Sequence, residues 1–141
     1  MTRPVSSPVI PCGAALIRRG RQFLIAQRMA NDTFPHCWEF PGGKKNSDET
    51  FEACVVREVR EELGIEVRVE KKLGEVRREH PQKTLWLNFF LCSELGSQTP
   101  RPLECQAFLW VDVEELKNYQ FPPANEKLIE RLVAEYGGPG R

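Results

Sequence analysis

No stretch of this sequence approaches the roughly 18 consecutive apolar residues that a membrane-crossing helix needs. The N-terminal segment has an apolar patch, but Pro8 and Pro11 interrupt it, so it lacks the core of a secretory signal. Cysteine is present at 12, 37, 54, 92 and 105, an odd set with no CxxC pair. That pattern argues against a disulfide framework and against a cysteine-rich zinc site. The expectation is five buried thiols in a reducing cytoplasm. His36 and His80 are the two histidines, and neither has a ligand partner at metal spacing. An excess of one charge is also missing, because 20 Lys and Arg balance 20 Asp and Glu. A neutral chain offers no electrostatic footprint for a nucleic-acid polymer or an anionic membrane. It still leaves room for a small polyanion held by a local site. No internal repeat and no second compositional regime is present, so 141 residues fit one domain around one sizeable core.

Residues 1–11, with prolines at 4, 8 and 11, read as a flexible lead-in. Residues 12–136 read as the single domain, and 137–141, GGPGR, as a frayed tail. Within the domain, CGAALIRR and RQFLIAQR are apolar runs separated by Gly20, a strand-turn-strand signal. MANDTFPHC reads as a loop, and PGG as a turn that ends the short WEF segment. IEVRVEKKLGEVRREH alternates apolar and polar residues and predicts one strand or two. KTLWLNFFLCSEL reads as a central strand, LGSQTPRPLE as a loop and AFLWVDV as another strand. VEELKNY suggests a helical turn, and FPPANEKLIERLVAEY a proline-led helix with Leu128, Ile129, Leu132 and Val133 to one side. Strands and helices mixed in this order predict an α/β/α sandwich around a mixed β-sheet.

The richest segment is residues 48–63. Phe51, Val55, Val59 and Leu63 recur every four residues and make the apolar stripe of a helix. Ser47 or Asp48 is a candidate cap at its start, and Gly64 suits its end. Glu58, Glu61 and Glu62 fall at i, i+3 and i+4, side by side on one face and flanking the stripe. Like charges at that spacing repel by a few tenths of a kcal/mol per pair, roughly. Folding gains nothing from such a ridge beyond a solvated surface. A site for hard divalent cations, which take oxygen ligands, requires one.

Residues 43–65 read G-x5-E-x7-R-E-U-x-E-E-x-G-U, with U an apolar residue, through Gly43, Glu49, Arg57, Glu58, Val59, Glu61, Glu62, Gly64 and Ile65. This resembles the Nudix box at every defined position. RQFLIAQR, WEFPGGK, TLWLNFFL and FPPANEKLIERL further resemble the MutT-like branch of the Nudix hydrolases, across most of residues 12–133. EHPQKT, residues 79–84, departs from that branch by about one residue.

The resemblance implies the Nudix fold and a magnesium- or manganese-dependent pyrophosphohydrolase of oxidised purine nucleoside triphosphates such as 8-oxo-dGTP. Attack at the β-phosphorus would yield the monophosphate and pyrophosphate, a DNA-repair role of nucleotide-pool sanitation. It implies metal ligation by the Gly43 carbonyl and by Glu58, Glu61 and Glu62, with Arg57 orienting the carboxylates and Glu49 supporting it. Glu104 is implied as an additional ligand or general base. Arg28, Phe40 and Asn125 are implied as nucleotide contacts. The partner implied is the nucleotide alone, for a cytoplasmic monomer or weak homodimer. From the residues, Asn125 is equally a helix cap. Two other readings stay open: a Nudix hydrolase for CTP, modified dCTP or a broad nucleotide range, and a non-catalytic Nudix-like module for lesion recognition.

Overall fold

The computed structural model describes residues 8–31 and 34–138. Strand β1 spans Val9–Arg19 and β2 Gln22–Gln27. They are followed by the short β3, Trp38–Glu39, and β4, Gly42–Lys44. Helix α1, Phe51–Leu63, leads into β5, Val67–His80, and β6, Lys83–Glu94. Strand β7 covers Ala107–Asp112 and helix α2 covers Glu126–Tyr136. The strands form one mixed sheet in the order β3-β2-β1-β6-β5, with β4 paired to β1 and β7 to β2. Strands β1 and β6 run parallel, whereas every other pair is antiparallel.

β1 shows why the sheet is covered on both faces. Six consecutive residues, Cys12–Ile17, are buried. Successive side chains of a strand point to opposite faces, and here Ala14 and Leu16 join one apolar cluster while Ala15 and Ile17 join the other. The first cluster takes in Leu128, Ile129 and Leu132 of α2. The second takes in Val55, Val59 and Leu63 of α1. This is the expected α/β/α sandwich. Val55, Val59 and Leu63 are fully buried, each contributing about 1.5–3 kcal/mol. That burial outweighs the glutamate repulsion on the same helix roughly tenfold, so the packed stripe fixes α1 and the acidic ridge is carried with it.

Several local expectations are corrected. β1 begins at Val9, so the last residues of the expected lead-in belong to the sheet. Residues 1–7 and 139–141 of the expected lead-in and tail lie outside the described residues. The cap of α1 is Thr50, whose hydroxyl accepts from the Ala53 N–H at 3.0 Å, rather than Ser47 or Asp48. The preceding loop explains the shift: Glu49 accepts from the Asn46 N–H at 2.8 Å and closes a turn that ends just before Thr50. Gly42–Gly43 is strand rather than turn, with Gly13 opposite Gly43 and Ala14 opposite Gly42. A Cβ on Gly42 would sit 2.1 Å from the Gly13 carbonyl oxygen, so close backbone approach demands the glycine. Residues 79–84 are the tip of the β5–β6 hairpin, with His80 facing Lys83. Trp38 and Trp110 are half-buried and pack against the two clusters, and the half-buried Trp86 meets Phe51 edge-on. All five cysteines are free and buried.

Candidate active site

Arg57 is the hub of the acidic ridge. Its Nε and Nη2 donate to the two oxygens of Glu49 at 3.0 and 2.6 Å. Its Nη1 donates to Glu58 at 2.9 Å and to Glu61 at 3.1 Å. Nη2 also donates to the Lys44 carbonyl at 3.0 Å, tying α1 to β4. A guanidinium presents five donors in a rigid fork, and this one spends them on three carboxylates and a backbone oxygen. The pairing holds the Glu49 carboxyl at about 2, chiefly through Arg57 and then through the Asn46 N–H. The Arg57 guanidinium is correspondingly harder to deprotonate, Glu49 being the largest cause.

β4 brings the backbone against this ridge. A Cβ on Gly43 would lie 2.5 Å from the Glu58 carboxylate. The thiol of Cys54 donates to the Gly43 carbonyl at 3.6 Å. Glu62, only 8% exposed, turns inward and accepts from the Gly42 N–H at 2.8 Å. Burial pushes its carboxyl up to about 9, and the charges of Glu39, Glu58 and Glu104 push the same way. Glu58 is raised as well, burial outweighing the opposing pull of Arg57. Glu104 is exposed, but its N–H donates to the Glu62 carbonyl at 3.3 Å, so the loop before β7 carries it to the ridge.

A divalent cation suits this donor set. The groups are all oxygens, the choice of magnesium and manganese. The glycine leaves room at Glu58 that any side chain would fill, and the desolvated negative charge calls for a counter-ion. Among the described residues, no three His, Cys, Asp or Glu side chains already form a metal cage. Arg57 draws Glu58 and Glu61 to itself, and the Gly42 N–H holds Glu62. Magnesium tolerates this, since it usually takes one or two carboxylates and completes its shell with substrate phosphates and water.

A cleft opens from Gly42, Gly43 and Lys44 across the sheet, and Arg28, Phe40 and Asn125 line it. The three residues expected to contact nucleotide therefore come together beside the ridge. Arg28 donates to Glu39 at 2.6 Å. Phe40 is buried against Phe89 and Phe121. Asn125 is 4% exposed and ends a 3₁₀ segment, Pro123–Asn125, but its side chain caps no N–H of α2. Asn125 thus stands at the N-cap position of α2, as the alternative had it, without making the capping bond. Sequence reasoning missed Glu39, Lys44, Arg78 and Lys83, which also line the cleft. For Arg78 a signal existed: Val76, Arg78 and His80 alternate along β5, and that parity puts Arg78 on the face of Val76, which packs on the core.

The NUDIX domain family matches residues 10–132. An 8-oxo-dGTP diphosphatase of Haemophilus influenzae is 37% identical over 128 residues, covering 90% of this chain and 93% of its own. A CTP pyrophosphohydrolase of Escherichia coli is 36% identical over 121 residues, covering 86% and 89%. The crystal structure of a MutT protein from Methanosarcina mazei Go1 superposes with a TM-score of 0.83 at 30% identity, covering 94% of this chain and 98% of its own. The chain belongs to the Nudix family and is a Nudix hydrolase. Within the family it groups with the MutT-like enzymes in sequence and in fold. Among the described residues no helix is long and apolar enough to cross a membrane.

Proposed function

We propose that this hydrolase is a magnesium-dependent pyrophosphohydrolase of oxidised purine deoxynucleoside triphosphates such as 8-oxo-dGTP. One water is consumed, and the products are the monophosphate and pyrophosphate. The observation that carries the proposal is continuity: Gly43 belongs both to the acidic ridge of α1 and to the cleft lined by Arg28, Phe40 and Asn125. A ligand with a polyanionic end and a flat, hydrogen-bonding end fits that layout.

The residues divide the work by position. Glu58, Glu61, Glu62, Glu104 and the Gly43 carbonyl are the groups that would hold magnesium or manganese. When bound, the cation neutralises phosphate charge and makes water a better nucleophile. Arg57, locked by Glu49, keeps Glu58 and Glu61 from collapsing outward into solvent. Glu104, exposed at the rim, is either a further ligand of that cation or, where it does not ligate, the carboxylate that accepts the proton of the attacking water. Arg28, held by Glu39, faces the nucleotide. Asn125 offers both a donor and an acceptor to the base edge, which suits a purine. The same reading carries a role in sanitising the cytoplasmic nucleotide pool.

A cytidine nucleotide is the second reading, supported by similarity to the CTP pyrophosphohydrolase at nearly the same identity. A panel of oxidised and unmodified nucleoside triphosphates, assayed with and without magnesium and with product identification, separates the two. Oxidised purine should lead in kcat/KM, with pyrophosphate as co-product; preference for cytidine nucleotides would favour the second reading. Glu61→Gln, at a half-exposed position, should cut turnover by orders of magnitude and leave the melting temperature unchanged. Normal turnover in that variant would remove Glu61 from the metal site.

A further inference from the structure

Glu104 reaches the ridge on residues 95–106, a connection between β6 and β7 with no helix or strand of its own. A stretch of about a dozen residues without regular structure is uncommon in a compact domain unless it serves a function. Most of its side chains are exposed, and Pro100 and Cys105 are the buried ones, so apolar packing does little to hold it. Backbone bonds do more. The last carbonyls of a helix have no partner within it, and this loop supplies partners to α1. The Arg101 N–H donates to the Leu63 carbonyl at 2.8 Å and the Leu103 N–H to the Glu62 carbonyl at 2.9 Å. The Glu104 N–H shares that second carbonyl. Glu104 is therefore located by the backbone of the residue whose own carboxylate turns in to Gly42.

The chain is turned back over the helix end by Gln98. Its Nε2 donates to the Glu66 carbonyl at 2.7 Å and to the Leu95 carbonyl at 3.2 Å. Its Oε1 accepts from the Glu66 N–H at 2.8 Å. One side-chain amide thus takes both backbone groups of one residue, as a strand partner does in an antiparallel ladder. Glu66 is itself fixed: the Leu95 N–H donates to its carbonyl at 3.1 Å, and its carboxylate takes two bonds from Arg60 of α1. Gln98 is half-buried between the exposed Ser97 and Thr99. The links close a ring from α1 through Glu66, Gln98 and Glu104 back to Glu62. Ordering an exposed loop opposes folding through lost chain entropy. What gains from the order is the carboxylate at 104, whose charge is felt at both Glu58 and Glu62.

We infer that Gln98 is a positioning residue for the hydrolysis: clamped on the backbone of Glu66, it holds the loop in the conformation that sets Glu104 against the ridge. The inference rests on the nucleotide-hydrolase reading and on the role given there to Glu104. The test is a double-mutant cycle on the full chain at one fixed magnesium concentration, with Gln98→Met, Glu104→Gln and the pair. Methionine keeps the length of the side chain and removes both bonds. Gln98→Met should lower kcat about tenfold, as other groups that orient ligands do, with KM for the nucleotide changed less than about twofold. In the Glu104→Gln background it should cost less than about twofold more, because its effect passes through Glu104. Gln98→Glu, which still accepts from the Glu66 N–H but cannot donate, should fall between glutamine and methionine. Hydrogen exchange gives a readout without turnover: the Leu103 and Glu104 amides should exchange about tenfold faster in Gln98→Met, and Val59 inside α1 at the wild-type rate. Equal losses of kcat in both backgrounds would make Gln98 merely structural and overturn the inference. No loss in either, or full activity in Glu104→Gln alone, would overturn it as well while leaving the enzyme a hydrolase. A wild type that releases no pyrophosphate from any nucleotide would instead sink the hydrolase reading. Exchange would then decide the clamp alone, and unchanged Leu103 and Glu104 amides would refute it.

Discussion

Adjacent glycines at 42 and 43 should fail in opposite ways when each is changed to alanine. At Gly43 the new Cβ would lie 2.5 Å from the Glu58 carboxylate carbon and Oε1, and 2.7 Å from Oε2. Ordinary contact begins near 3.4 Å, so the carboxylate must retreat by about 1 Å. It sits at the end of a flexible side chain and can do so, which keeps the stability cost below roughly 1 kcal/mol. The retreat breaks the 2.9 Å bond from Arg57 and moves a proposed metal ligand. A misplacement of 1 Å at a reacting centre costs on the order of 100-fold in rate. At Gly42 the Cβ would meet backbone instead, 2.1 Å from the Gly13 oxygen and 2.7 Å from the Ala14 Cα. Backbone in a central sheet cannot step aside, so Gly42→Ala should destabilise by about 1–3 kcal/mol or more. Urea denaturation and pyrophosphate release, measured on both variants, read the two effects separately. A folded Gly43→Ala enzyme with near-normal kcat would refute the placement of Glu58 in the reaction centre.

Arg57→Lys keeps the charge but loses the fork that binds Glu49, Glu58, Glu61 and the Lys44 carbonyl together. Activity or metal affinity should drop about 10- to 100-fold, as for other groups that orient ligands, and a magnesium titration of turnover measures it; full activity at ordinary magnesium would contradict the hub. Asn125→Ala should reduce kcat/KM for an oxidised purine about tenfold yet shift the melting temperature little, because no cap is lost; unchanged purine preference would exclude it from base reading. For Glu62, the folded carboxyl lies near 9 against an ordinary 4.5. The folded state therefore holds a proton that the unfolded chain has released, and stability falls as pH rises from about 4.5 to about 9. Thermal melts in chelator should show that fall, Glu62→Gln should flatten it, and identical pH profiles for variant and wild type would show that Glu62 does not govern it.

The box from Gly43 to Ile65 was legible because its chemistry is local. Helical spacing alone puts Glu58, Glu61 and Glu62 on one ridge, and the Val55–Val59–Leu63 stripe says which side of that helix is packed. Strand and helix order likewise follow from periodicities within each segment. The Gly42–Gly43 segment misled because its glycines serve contact with a distant strand, and nothing in PGGK names Gly13 as the partner. The cap moved to Thr50 because Glu49 and Asn46 closed a loop first, a competition among neighbouring side chains that spacing rules do not rank.

Motif spacing by itself determined the helix, its acidic face and the family to which the chain belongs, since each depends on residues within a few turns of one another. Only the tertiary structure decided the inward turn of Glu62 onto Gly42, the arrival of Glu104 from beyond β6, and the meeting of Arg28, Asn125 and Arg78 over one floor. These depend on the parallel pairing of β1 with β6 and on which faces α1 and α2 cover. That pairing is settled by burial summed over the whole sheet, a quantity no single segment carries.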